Sequence, residues 1–202
     1  MARHPMTDST ASSSVPDLAQ VYAEVVRFRE GFATLLMATV APDGEPDASY
    51  AAYIEDDGDF HVFVSELSVH TKNLLESGRV SVLFIEEEAS AGHLFARRRL
   101  TYRCRAEELA RGSIGCETIL DRFELRFGAL IVTLRGLQDF HLVRLRPLSA
   151  RYVSGFAKAF AIDDVQLAEI RHLRDQGHRA SNAVTRNTFN RRLTNPAEES
   201  DV

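Results

Sequence analysis

Residues 32–64, FATLLMATVAPDGEPDASYAAYIEDDGDFHVFV, contain three short β-rich runs separated by two turn signals. The turn signals are PDG at 42–44 and DDG at 56–58, and both combine residues that favour tight turns. Strands that follow one another so closely pair most simply with their neighbours along the chain. The stretch therefore predicts an antiparallel meander.

Segments with helix signals lie on both sides of this meander. Upstream, Ser14 and Pro16 form a helix-start signal, and apolar residues then recur at helical spacing: Leu18, Val21, Tyr22, Val25 and Phe28. Downstream, ELSVHTKNLLES at 66–77 predicts a short helix that ends at Gly78, since glycine commonly closes helices. VSVLFIEEE at 80–88 then predicts a fourth, buried strand.

A long strand is predicted from Leu94 to Ala106, because its residues alternate between two faces. One face carries Leu94, Ala96, Leu100, Tyr102, Cys104 and Ala106, and the other carries Arg97, Arg99, Thr101, Arg103 and Arg105. Arg98 is a charge on the apolar face.

The remaining sequence continues the mainly β pattern. Residues 113–127 have helical spacing closed by Gly128, and three strand-like runs follow: ALIVTL at 129–134, DFHLVRL at 139–145 and ARYVSGF at 150–156. An amphipathic helix, DDVQLAEIRHLRDQ, is predicted at 163–176 before Gly177. About seven close-spaced strands with short helices favour a mainly β barrel over a parallel α/β sheet.

Length and composition place the chain in one domain. With 202 residues, of which 45% are apolar, we expect a disordered leader at 1–15, one domain at 16–180 and a disordered polar tail at 181–202. No apolar run approaches the ~20 residues of a membrane span, and the N-terminus lacks a secretory signal. A soluble, cytoplasmic protein without a membrane partner is expected. A net charge of −5 gives no reason to expect nucleic-acid binding.

The two cysteines, Cys104 and Cys116, lack the spacing of a zinc site and are expected to be ordinary core or interface thiols. The common motifs of nucleotide binding, nucleophilic hydrolysis and zinc proteolysis are missing from the sequence. Cations and hydrogen-bonding residues instead concentrate in HTKN at 70–73 and in RRR at 97–99. These two segments either hold a phosphate or carboxylate, or form a helix cap and a solvated strand face.

Seven histidines leave several candidates for a metal ligand. His61 and His141 lie in strand-like runs, where a histidine is more often structural than a ligand. His172 and His178 flank the end of the predicted last helix, where an imidazole could reach an open metal position.

Five segments, taken together, carry a family resemblance: SELSVHTKNL at 65–74, EEE at 86–88, LFARRRLT at 94–101, DFHLVRLRP at 139–147 and RYVSGFAKAF at 151–160. In this order they resemble the HugZ-type haem-utilisation family, a branch of the pyridoxamine-phosphate-oxidase-like, FMN-binding split barrels. The resemblance implies an antiparallel split barrel with short flanking helices, which dimerises and forms its ligand sites between two subunits.

The resemblance also implies roles for particular residues. In flavin-binding relatives the segments similar to HTKN and FARRRLT contact FMN, so His70, Thr71, Lys72, Asn73, Arg97 and Arg99 are candidate cofactor contacts. In haem-degrading relatives a C-terminal histidine ligates the iron and an aspartate of the DF motif supports it. The matching residues are His178, with His172 as the alternative ligand, and Asp139.

The function expected from this resemblance is haem binding for iron utilisation, with oxygen-dependent ring opening driven by an external electron donor. The alternatives are an FMN-dependent oxidoreductase and a non-catalytic haem carrier or storage module. Arg97 and Arg99 are expected to face the anionic ligand, whereas Arg103 and Arg105 are expected to be solvated.

Overall fold

The computed structural model describes residues 17–156, 158–163 and 170–172. Four helices lie in these ranges: α1 (Leu18–Glu30), α2 (Val69–Ser77), α3 (Ile114–Phe127) and α4 (Leu130–Arg135). Eight strands lie there too: β1 (Thr34–Val40), β2 (Pro46–Asp56), β3 (Asp59–Ser65), β4 (Arg79–Ile85), β5 (Arg99–Glu108), β6 (Phe140–Gly155), β7 (Lys158–Ile162) and β8 (Ile170–His172).

The strands form one antiparallel sheet that closes on itself. Their order is β3-β2-β1-β4-β5-β6-β7-β8, and a further pairing of β3 with β6 closes the first six into a barrel. The first part of β6 pairs with β3, whereas its last part pairs with β7, which in turn pairs with β8. A mainly β split barrel is therefore confirmed, with β7 and β8 as an extension beyond the closed part.

Alternation along the strands fills the barrel with apolar side chains. In β1 the buried positions are Leu35, Met37 and Thr39, and the intervening side chains point outwards. Large rings occupy the centre, where Phe60 contacts both Phe84 and Tyr102 edge to face. α1 packs its buried face on the same core, with Asp17 as its N-cap residue.

A second, smaller core lies outside the barrel. α3 packs there against β2 and β6. Its residues Ile119 and Phe123 lie in one cluster with Leu142 of β6, and Cys116 lies among them. Cys104 lies in the main core, and both thiols are free and buried. The expectation of ordinary core thiols is confirmed.

The strand predicted for ALIVTL at 129–134 is wrong, since these residues form α4. Ile131 and Leu134, three residues apart, both pack on the second core, which a helical turn permits. Gly128 and Gly136 bracket the segment, and each donates or accepts a hydrogen bond of a tight turn. Packing beside α3 overrides the β preference of this β-branched run.

The strand predicted from Leu94 begins only at Arg99, because Leu94–Ala96 form a 3₁₀ turn in the loop after β4. The two strands predicted for 139–145 and 150–156 are instead one strand, β6. Pro147 lies within it at an irregularity of the β5–β6 register, where a residue without an N–H is tolerated. The strand therefore continues through the irregularity without ending.

The helix predicted for 163–176 is wrong at Ile170–His172, which form β8 and pair with β7. The free edge of β7 offers unpaired backbone N–H and C=O groups. An extended segment can pair with them, whereas a helix cannot, because it uses its own backbone groups internally. Residues 164–169 and 173–180 lie outside the described residues, as do the predicted leader at 1–15 and tail at 181–202. The structure thus leaves the domain boundaries as predictions. Within the described part, each helix is too short or too polar to cross a membrane.

Candidate functional site

Asp139 anchors the loop that leads into α2. Its Oδ2 accepts a hydrogen bond from Ser65 Oγ at 2.9 Å, and its backbone carbonyl accepts one from the N–H of Glu66 at 2.8 Å. Thr71 Oγ1 in turn donates to the carbonyl of Ser65 at 2.5 Å. The DF motif and the HTKN motif, far apart in sequence, are thereby joined at the ends of β3 and β6.

The four residues of HTKN divide into two buried and two accessible side chains. Thr71 and Asn73 are buried, and the amide of Asn73 donates to Thr39 Oγ1 at 3.1 Å, so both position α2. Lys72 is exposed, and His70 is half-buried. Partial burial lowers the pKa of His70, although the nearby carboxylate of Asp47 opposes this effect.

The side chains of the arginine segment at 97–99 form hydrogen bonds within their own loop. Arg97 donates from Nε to the carbonyl of Glu86 at 2.7 Å and from Nη1 to the carboxylate of Glu88 at 3.0 Å. Arg98 donates to the carboxylate of Glu86 at 2.8 Å. Arg99 is half-buried at the start of β5 and bonds the carbonyl of Arg97 at 3.3 Å. Arg97 therefore fixes the loop, and Arg99 is the cation that borders the open sheet face.

An apolar face covers the outside of strands β2, β1 and β4. Leu36 lies opposite Tyr50 on one side and Leu83 on the other, and it is 43% exposed, whereas Tyr50 is 68% exposed. This apolar face consists of Leu36, Ala38, Ala48, Tyr50, Leu83 and Ile85. Ile85 pairs with Arg99, so the face ends at a cation. Contiguous exposed apolar surface of this kind marks an interaction site.

An aromatic group lies where the loop after β4 meets the turn after β6. His93 Nδ1 accepts the backbone N–H of Phe95 at 3.2 Å, and the two rings pack 5.6 Å apart. The ring of Phe156 packs against His93 at 6.4 Å, and Phe95 is 84% exposed. Two of the motifs that carry the family resemblance thus lie side by side.

His141 bridges two carboxylates from different parts of the chain. Its Nδ1 lies 2.6 Å from Glu108 Oε1 and its Nε2 lies 2.8 Å from Glu66 Oε1. The hydrogen bond to Glu108 raises the pKa of His141, and Glu66 adds to this effect against partial burial. Both ring nitrogens donate only in the imidazolium form, which therefore connects the end of β5 to the loop before α2.

Replacing His141 by glutamine is expected to lower the melting temperature more at pH 6 than at pH 9. The raised pKa means that its contribution is complete below the unfolded value of ~6.5 and is lost as pH rises through the folded value. Thermal unfolding of both proteins across this range measures the difference. A difference independent of pH would show that His141 does not act through its charge.

The structure separates Asp139 from the backbone of His172. His172 pairs with Phe160, which pairs with Tyr152 near the far end of β6, whereas Asp139 precedes the start of that strand. His178 lies outside the described residues. Of the expected pair, His178 and Asp139, the described residues therefore include Asp139 and not His178.

No local signal in the sequence predicts several of these features. Glu66, Glu108 and His141 come from three segments, and the residues of the apolar face lie on strands whose pairing had to be known first. The exposure of both Leu36 and Tyr50 is explicable only once β1 and β2 are known to form the outside of a barrel. Alternation predicted two faces for each strand without showing which one was covered.

Fold and site together define a class: antiparallel split-barrel proteins with an apolar outer sheet face bordered by cations. The family model described as pyridoxamine 5'-phosphate oxidase matches residues 22–154. The chain belongs to the pyridoxamine 5'-phosphate oxidase family, as the resemblance of its motifs implied.

Individual relatives support this assignment. The chain is 38% identical over 157 residues to HutZ of Vibrio cholerae, a protein described as a heme oxygenase, and the match covers 77% of this chain and 88% of HutZ. A crystal structure of HutZ, described there as a heme storage protein, matches with a TM-score of 0.59 over 62% of this chain and 88% of that one. ChuZ of Campylobacter jejuni matches with 29% identity and a TM-score of 0.74, covering 84% of this chain and 69% of ChuZ.

Proposed function

We propose that this protein binds haem for iron utilisation and opens the porphyrin ring in an oxygen-dependent reaction. The observation that carries the proposal is the 38% identity with the heme oxygenase HutZ over 77% of this chain. Ring opening releases iron and a biliverdin-like product and consumes electrons from an external donor. Haem itself supplies the oxygen chemistry, so the protein's part is to bind, orient and enclose it.

The residues present suit haem better than FMN. A phosphate at α2 would meet a half-buried His70 whose pKa is lowered and the carboxylate of Asp47 nearby. The hydroxyl of Thr71 is already committed to the carbonyl of Ser65, which leaves Lys72 as the accessible cation of the segment. The apolar face bordered by Arg99 suits instead a flat apolar ring that carries carboxylates.

Two residues of the arginine segment take different parts in this proposal. Arg99, next to Ile85, is placed to hold a propionate with its guanidinium fork. Arg97 holds the loop through Glu86 and Glu88, and the same loop carries His93 and Phe95. His178 is the proposed iron ligand, and Asp139 the acceptor for its second ring nitrogen.

The dimensions of β6 favour a pair formed between two subunits. Tyr152 lies thirteen residues after Asp139, or ~43 Å along a straight strand, and the backbone of His172 lies two strand spacings, ~10 Å, to the side of Tyr152. Six residues beyond His172 span at most ~21 Å. We therefore propose that His178 of one subunit meets Asp139 of the other across a two-fold axis.

The part of the apolar face around Leu36 and Tyr50 is the proposed dimer interface, and the haem occupies the end of the face at Ile85 and Arg99. Replacing Leu36 by aspartate is expected to dissociate the dimer, because a charge on a covered apolar surface loses its hydration. Light scattering should change from about twice the chain mass of 22.6 kDa to that mass. Leu125→Asp is the matched control, since Leu125 is 89% exposed on α3 and is not one of the residues of this face. A dimer that survives Leu36→Asp, or dissociates with Leu125→Asp, would contradict this interface.

Haemin followed by ascorbate tests the function directly. The Soret band should first appear with bound haem and then decay in air, with biliverdin-like absorption and chelatable iron as products. Intact haem after reduction in air would favour the storage alternative, which the description of HutZ as a storage protein supports. A purified protein with flavin absorbance and no haemin binding would favour the FMN alternative.

A further inference from the structure

Five exposed arginines lie together on the outer face of β4, β5 and β6. This arginine patch consists of Arg79, Arg103, Arg105, Arg146 and Arg151. Arg105 lies directly opposite Arg79 on one side and Arg146 on the other. At strand spacings of ~4.8 Å and ~3.3 Å per residue, the patch measures roughly 10 by 13 Å.

The patch carries little neutralising charge. Within the part of the chain that the structure describes, the acidic neighbours of the patch face Arg146: its Nε lies 3.9 Å from Asp59 Oδ2, and the carboxylate of Glu107 also interacts with it. Like charges directly opposite each other destabilise a sheet. The barrel does not require them, because Ser81, Thr101 and Ser149 occupy the same face. The patch is also opposite in sign to the net charge of −5 of the chain. A partner with negative charge accounts for this concentration.

We infer that the arginine patch docks an acidic electron-carrier protein. The inference rests on the proposed function, which consumes electrons. Guanidinium forks suit surface carboxylates, and opposite charges steer the short-lived encounters of redox proteins. Arg79 begins β4, and the proposed haem site borders the other end of this strand at Ile85 and Arg99, so the docked carrier lies roughly 20 Å from that site along β4.

A nucleic acid fits this surface less well. The patch itself offers arginines, serine and threonine but no aromatic ring on which a base could stack. The net charge of −5 also opposes a long polyanion. A compact acidic protein meets the patch without covering the acidic remainder of the chain.

The redox step transfers one electron and no atoms. The reduced carrier loses one electron from its iron–sulfur centre and is oxidised, and the ferric iron of the haem substrate is reduced to ferrous. Ascorbate performs the same reduction without docking. An assay driven by ascorbate therefore measures the reaction independently of the arginine patch.

A plant-type [2Fe–2S] ferredoxin, an acidic one-electron carrier, is the probe. Arg105→Glu reverses a charge at the centre of the patch, and folding should tolerate it because the new carboxylate lies between Arg79 and Arg146. Arg27→Glu is the matched control, since Arg27 is exposed on α1 and makes no ion pair within the described residues. Calorimetric titration of the haem-free full-length chain measures ferredoxin binding, and the haem-loaded protein is then driven by ferredoxin or by ascorbate.

Arg105→Glu should weaken ferredoxin binding roughly tenfold and flatten its salt dependence, and it should slow ferredoxin-driven haem loss alone. Arg27→Glu should match the wild type in each assay. Equal effects of both variants, or none, would overturn the inference. Weaker haemin binding in Arg105→Glu would make the patch a ligand subsite instead, and a monomer in light scattering would make it a subunit interface. Failure of ascorbate to open the ring would contradict the proposed function, while ferredoxin titration still tests the docking.

Discussion

Replacing His178 by alanine is expected to abolish the spectrum of iron-ligated haem and to stop ring opening. Loss of an iron ligand removes the bond that fixes the iron over its site. This should cost more than the ~10–100-fold that is typical when only the hydrogen-bond acceptor of such a ligand is lost. Haemin titration followed at the Soret band measures the affinity, and ascorbate-driven decay of the same band measures the reaction.

His172→Ala is the matched control for this variant. The backbone of His172 belongs to β8 and is held by pairing with Phe160, whereas His178 lies six residues further along the chain. Both haem spectrum and decay should therefore remain close to the wild type in His172→Ala. An unchanged haem spectrum in His178→Ala, or its loss in His172→Ala, would contradict the ligand assignment.

Local chemistry was sufficient to predict much of the barrel. The PDG and DDG turns separate β1, β2 and β3, and α2 ends at Gly78, whose positive φ of 61° suits a residue without a side chain. Failures occurred where a tertiary contact decided the conformation. α4 is a β-branched run that became helical against α3, and β8 depends on the free edge of β7. Neither contact partner is visible in a short window of sequence.

The candidate site was predictable as a set of segments and not as a set of contacts. HTKN and RRR stand out in the sequence as concentrations of polar and cationic residues. Their separation into buried Thr71 and Asn73, loop-bound Arg97 and the bordering Arg99 depends on partners such as Thr39 and Glu86. These partners are many residues away in sequence, so only the folded barrel shows which side chains remain available for a ligand.

Two impaired variants are expected to complement each other if the ligand pair forms between subunits, although Asp139→Asn is expected to be the less impaired of the two. Asp139→Asn removes the acceptor and His178→Ala removes the ligand, so each homodimer lacks one partner at both of its sites. In a heterodimer, one site combines the intact His178 of the first subunit with the intact Asp139 of the second. The other site combines both substitutions and stays inactive.

Co-expression with two affinity tags isolates this heterodimer, and ascorbate-driven haem loss measures its activity. The expected rate is about half that of the wild type per dimer, because one of two sites is complete. A pair within one chain leaves both sites of the heterodimer defective, since neither chain then carries both residues. A heterodimer no more active than the average of its two parents would therefore contradict the intersubunit pair, and the length of β6 would need another explanation.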